Sequence, residues 1–127
     1  MEERNLEKFS DLMNCPVRHV LDRFGDKWSV LILIMLDEKG TLRFNALHHT
    51  IPDISQKMLT VTLRTLEADG LITRKIYPEI PPRVEYQLTE MGSSLIPYID
   101  GLAKWALHNM PHILRSRDQY NNKVTLN

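Results

Sequence analysis

The 127-residue chain has one cysteine, Cys15, so no internal disulfide can staple it and a hydrophobic core must hold it together. Long apolar runs are missing as well. The longest, over 30–36, falls far short of the roughly 20 residues that cross a bilayer, so no membrane partner is expected. Neither sign of charge prevails: 16 basic residues balance 16 acidic ones. A nucleic-acid binder usually carries a basic surface, so this balance counts against one unless the charges are segregated along the chain. There is no phosphate-binding loop, no dinucleotide glycine fingerprint and no nucleophile elbow, and the carboxylates are scattered, which argues against an enzyme and leaves no catalytic residue or cofactor to name. The opening MEERNLEKFSDL is acidic and polar rather than a secretory signal, so the expected location is cytoplasmic.

What is present is ordinary globular composition, 43% hydrophobic and 25% charged, at a length that suits one domain. The acids Glu2, Glu3, Glu7 and Asp11 gather in an N-terminal arm, 1–14, where Leu6, Phe9 and Met13 could share one side of a short helix. Over 55–83 the bases Lys57, Arg64, Arg74, Lys75 and Arg83 outnumber Glu67, Asp69 and Glu79. The charge is therefore segregated.

Punctuation and period give the elements. Pro16 suits a first helical turn, and Val17, Val20, Leu21 and Phe24 follow at helical spacing until Gly25. Asp26 can cap a second helix over 27–37, apolar almost all round and so expected at the centre of a bundle or between subunits. A short helix over 43–49, with Phe44 and Leu47 inward, ends in a proline-bearing turn over 50–54. Ser55 then caps a helix that runs to about residue 69 and stops at Gly70. Two runs of period two follow, over 72–77 and 84–88, each expected to bury one face and joined by the stiff loop PEIPPR. Thr89 caps a last helix, with Leu95, Ile99, Leu102, Trp105 and Ala106 on one stripe. There Pro97 should kink the helix, Pro111 should end or bend it, and the tail after Arg117 should fray.

Helix, turn, helix and hairpin in that order describe a winged helix-turn-helix, an α+β fold that is mainly helical with a small hairpin. The core is expected over 15–89, a C-terminal helix over 90–118 and a tail over 119–127. In such a fold the second helix of the pair lies in the DNA major groove. Leu59, Leu63 and Leu66 turn inward, and Lys57, Thr60, Val61, Arg64 and Ala68 lie opposite. Ser55 and Gln56 sit at the helix start, whose free amides suit a phosphate. The expected DNA-contacting set is Arg43, Ser55, Gln56, Lys57, Thr60, Val61 and Arg64, with Arg74, Lys75 and Arg83 on the wing. One plainer alternative is that 55–69 is an ordinary amphipathic surface helix; another is a winged helix used for protein interaction that never meets DNA.

The strings CPVRHVLDRFGDKWSVLIL and RFNALHHTIPDISQKMLTVTLRTLEADGLITRKIYPEIPPRVEYQLTEMGSSL resemble the HxlR-type family of winged-helix regulators, related to the MarR group. The resemblance spans roughly 15–105. It implies a transcription factor, more often a repressor, that dimerises through its N- and C-terminal helices, reads DNA with 55–69 and carries a wing over 78–83. A two-fold dimer would set its recognition helices about 34 Å apart and select a pseudo-palindromic operator.

Two side readings concern signals. Cys15 precedes Pro16 at a helix N-terminus, whose partial positive charge favours a reactive thiolate, with Arg18 one turn on. Some members of the family it resembles sense oxidants or electrophiles through a cysteine placed there; a buried, inert thiol is the alternative. A small-molecule effector could instead occupy a pocket lined by Trp28, Met35, Tyr98, Trp105 and Met110. His108 and His112 stand four apart and His48 and His49 adjacent, but Pro111 should break the helix that would align the first pair, so no metal is expected.

Overall fold

The computed structural model describes residues 15–126; the expected amphipathic arm, 1–14, lies outside them. In chain order the elements are α1 (Pro16–Phe24), α2 (Lys27–Lys39), β1 (Leu42–Arg43), α3 (Phe44–Thr50), α4 (Gln56–Ala68), β2 (Ile72–Tyr77), β3 (Arg83–Leu88) and α5 (Glu90–Leu126). The chain divides into two compact units after Ser94.

The first unit is a winged helix. Asp26 begins α2 as expected: its Oδ1 accepts from the amides of Trp28 at 2.8 Å and Ser29 at 2.9 Å, and its Oδ2 accepts from the Ser29 hydroxyl at 2.7 Å. Burial alone would raise the Asp26 pKa, but these hydrogen bonds outweigh it and hold the carboxyl below its ordinary value. Gly40, at φ +83°, closes α2 in a conformation that side chains disfavour. The core collects Ile32, Leu33 and Leu36 from α2, Leu47 from α3, and Leu59, Leu63 and Leu66 from α4. The apolar circumference of α2 is therefore only partly used, for Leu31 is exposed while Val30, Ile34 and Met35 are half-buried.

Three expectations change here. Arg43 does not open α3 helically; with Leu42 it forms β1, which pairs antiparallel with β3 in the register Leu42↔Tyr86 and Arg43↔Glu85. The hairpin is thus two strands of a three-stranded sheet in the order β1-β3-β2. Second, β2 does not bury one whole face. Ile72 is buried, but Ile76 is 56% exposed because the hairpin runs outward past the core. Third, α1 leaves Val17, Val20 and Leu21 exposed rather than packed.

The last helix also departs from expectation. Thr89 caps it, its Oγ1 accepting from the Gly92 amide at 3.0 Å. It then continues through Pro97 and Pro111 to Leu126 rather than ending at 118 with a frayed tail. Each proline removes a single amide donor, and the flanking turns propagate cooperatively on both sides of it. Ile96 and Ile99 are buried, whereas Tyr98, Leu102 and Trp105 are exposed. No described helix is long and apolar enough to cross a membrane.

Candidate nucleic-acid interface

The turn before α4 presents that helix to solvent. Ile51 and Ile54 are buried and pin the turn, and Asp53 takes φ +68°, a left-handed conformation that Asp tolerates better than most residues. His48 Nε2 lies 3.0 Å from the Ile54 carbonyl and ties α3 to the same turn. The Ser55 Oγ accepts from the Met58 amide at 3.0 Å and starts α4. With Leu59, Leu63 and Leu66 buried, the helix is fixed about its axis. Thr62 is a fourth inward residue, missed because its hydroxyl suggests exposure. It is satisfied by donating to the Met58 carbonyl at 2.7 Å.

The outer face then follows from the helical period. Gln56, Lys57, Val61, Arg64 and Ala68 are exposed, and Thr60 is half-buried. Two members of the set are already engaged inside the helix: Ser55 caps it, and the Thr60 hydroxyl donates to the Gln56 carbonyl at 2.9 Å. The side chains of Gln56, Lys57 and Arg64 have no hydrogen bond or ion pair among the described residues. Those three are the long donors left free to meet an outside partner. Arg43 is exposed on the edge strand β1.

The wing bases are held differently. Arg74 Nε lies 3.6 Å from Glu67 Oε1, so the wing base is tied to the recognition helix. Lys75 Nζ stands 5.0 Å from the centre of the Tyr77 ring and the Arg83 guanidinium 3.9 Å from it. Arg83 also reaches Glu79 and Glu85, each at 3.3 Å. Beneath them burial pushes the Tyr86 phenol above its ordinary pKa, while the nearby Arg74 and Arg64 pull it down. These two arginines, from β2 and α4, thus act on one side chain.

A second junction had no sequence signal. Arg23, at the end of α1, forms a bidentate pair with Asp69 at the end of α4, Nε to Oδ2 at 2.9 Å and Nη2 to Oδ1 at 3.0 Å. Beside it opens a cleft of about 360 Å³ lined by Lys27, Trp28, Met58, Val61 and Thr65 among others. Of the residues expected around an effector, Trp28 lines it. Cys15 is 1% exposed at the start of α1, and its carbonyl accepts from the His19 amide at 3.1 Å.

Pro111 does not separate His108 from His112; the helix runs through it, with the two rings 6.1 Å apart. His112 is engaged by Arg115. Among the described residues no group of three or more His, Cys, Asp or Glu side chains could hold a metal ion.

Comparison with known proteins agrees with this geometry. Residues 23–113 match the HxlR-like helix-turn-helix family. An HTH-type transcriptional regulator of Methanothermobacter thermautotrophicus is 52% identical over 91 residues, 72% of this chain and 69% of that one. The transcriptional regulator ytfH from Salmonella typhimurium superposes with a TM-score of 0.74 at 40% identity, covering 84% of this chain and 94% of the other. The redox regulator HypR in its reduced form gives 0.72 at 40% identity, covering 80% and 98%. With its recognition helix, wing and capped turns all within the matched stretch, the chain belongs to the HxlR-like helix-turn-helix family and is a DNA-binding winged-helix regulator of transcription.

Proposed function

We propose that the protein is a sequence-specific repressor that acts in the cytoplasm as a homodimer on a pseudo-palindromic operator, and that oxidants or electrophiles acting at Cys15 relieve repression. One observation carries the DNA reading: α4 is anchored by Leu59, Leu63 and Leu66 while the side chains of Gln56, Lys57 and Arg64 stand exposed without a hydrogen bond or ion pair among the described residues. Arg64 has the reach and fork to take a guanine edge, Gln56 to take an adenine edge, and Lys57 to take a phosphate. Arg43, Ser55, Thr60, Val61 and Arg74 complete the proposed contact surface, the threonine and valine through their methyl groups, while Lys75 and Arg83 shape the wing beside it.

The sensing reading is supported by connectivity. The helix that Cys15 begins carries Arg23 in its last turn, whose side chain grips Asp69 at the C-terminal end of α4. Modification of the buried thiol would displace α1 and loosen the recognition helix at its far end. The likeness to the redox regulator HypR favours the same reading. With no second cysteine in the chain, the oxidised product is a disulfide to a partner subunit or to a small thiol. A second reading, relief by a small-molecule effector, is favoured by the cleft beside Trp28, whose volume falls in the range of ligand sites.

The test is a titration of reduced protein onto a duplex it selects from a random pool and onto an unrelated duplex, at one salt concentration. Specific regulation requires discrimination of at least about 10³-fold. Diamide treatment should then weaken binding by the wild type and leave Cys15→Ser unaffected. Equal response of both proteins would remove Cys15 from the account, and equal weak binding to both duplexes would remove sequence specificity.

A further inference from the structure

A wing is usually taken to grip DNA through its basic residues, and the distal part of this one is poorly built for that. From Lys75 to Glu85 its charged residues are two cations, Lys75 and Arg83, and two anions, Glu79 and Glu85. The distal wing is electrically neutral. Both cations are also occupied: Arg83 lies against the Tyr77 ring at 3.9 Å and pairs with Glu79 and Glu85, and Lys75 stacks on the same ring. Freeing Arg83 for a phosphate would leave two carboxylates facing a polyanion.

What projects instead is apolar. Ile80 stands at the tip, 102% exposed, between Pro78 and the pair Pro81–Pro82. Below it Ile76 is 56% exposed and pairs in register with half-buried Val84, so one face of the hairpin stays apolar beyond the core that should cover it. A lone exposed isoleucine on a protein surface calls for no explanation. This one differs because a stiff loop presents it and the neighbouring charges are tied down around it. Apolar wedges of this kind enter the minor groove and open a base step there.

We propose that the wing engages the minor groove of the operator through an apolar tip, Ile80, while Arg83 is a positioning residue that clips the tip in place and makes no phosphate contact. The proposal rests on the DNA-binding reading above and adds a contact that α4 cannot supply. Its energy comes from removing an aliphatic side chain from water and from the ease of opening the step it meets, so it is insensitive to salt and favours flexible pyrimidine–purine steps.

The experiment uses the full-length protein and a duplex that the wild type selects from a random pool, end-labelled so that energy transfer reports bending. Ile80 is fully exposed, so Ile80→Ala should fold as the wild type does. The expected result is roughly a tenfold loss of affinity with the salt slope unchanged, together with a smaller bend. Arg83→Gln should also keep the salt slope while speeding amide exchange at Ile76 and Val84, a readout that a phosphate contact would not move. Lys57→Ala serves as the control that must lower the slope. The proposal is overturned if Ile80→Ala binds within twofold of wild type, which would leave the tip for a protein contact. It is overturned equally if Arg83→Gln lowers the slope by about 0.9, the value of one phosphate. A wild type that selects no duplex at all would sink the DNA-binding reading itself, and this proposal with it.

Discussion

Asp26 shows how much one side chain can carry. Three hydrogen bonds converge on its carboxylate, and they turn an acidic residue between α1 and α2 into the start of the most buried helix of the winged unit. Asp26→Ala should destabilise the protein by about 1 kcal/mol, read as a shift in the urea midpoint. Because the folded pKa is depressed, the cap's contribution is fully present above the unfolded aspartate value of about 3.9 and is lost as pH falls through the folded value. The gap between wild type and Asp26→Asn, which keeps an oxygen acceptor, should therefore be small at neutral pH and close in acid. On the proposed DNA-facing side, two residues of α4 separate by chemistry. Lys57→Ala should weaken all sequences alike and lower the salt slope by about 0.9. Arg64→Ala should cost roughly 1–3 kcal/mol on the selected duplex and relax its preference at one base pair. A mutational scan of the duplex against both variants distinguishes these outcomes.

Among elements, two glycines of α5 carry opposite demands, and the first of them sets the junction with the hairpin. A Cβ on Gly92 would overlap the Leu71 backbone oxygen, which already accepts from the Thr89 amide at 3.0 Å and has no freedom to retreat. Nothing lies within 4 Å of a Cβ on Gly101. Gly92→Ala should thus lower stability by roughly 1–3 kcal/mol through overpacking, and Gly101→Ala should raise it by about 0.5–1 kcal/mol through helix propensity. Thermal unfolding of the two variants should move Tm in opposite directions. The same scale shows what the sequence made legible. The leucines of α4, the caps Asp26, Ser55 and Thr89, and the stops at Gly40 and Gly70 were readable because period and capping chemistry are local. β1 was not, since its two residues carry no alternation and exist as a strand only through the register with β3. Nor were the pairing of Arg23 with Asp69, 46 residues away, which tertiary proximity makes, or the folding back of Arg83 onto nearby Glu79 and Glu85, which depends on the conformation of the loop between the strands. The end of α5 was misjudged for another reason: the polar stretch after Arg117 reads as a tail, whereas an established helix gains one bond for each further residue it fixes.

At the scale of the whole molecule, the described residues leave apolar stripes open to solvent. Val17, Val20 and Leu21 on α1 are open to solvent, and so are Tyr98, Leu102 and Trp105 at helical spacing on α5. A tryptophan set among aliphatic side chains is the composition of an interface core, where aromatic anchors dominate the energy. In the proposed homodimer, assembly in turn governs how tightly DNA is held. A second recognition helix tethered to the first binds at high effective concentration, so affinity for a two-half-site duplex far exceeds that for one half-site. The combined substitution Leu102→Glu and Trp105→Glu, both at exposed positions, should leave the helical circular dichroism intact and convert a sedimenting dimer into a monomer. Its affinity for the full duplex should fall to that of a single half-site. Inserting five base pairs between the half-sites should do the same to the wild type by turning them to opposite faces of the DNA. A variant that still sediments as a dimer would shift the interface away from this stripe. Wild-type binding indifferent to the insertion would mean that each winged helix reads DNA alone.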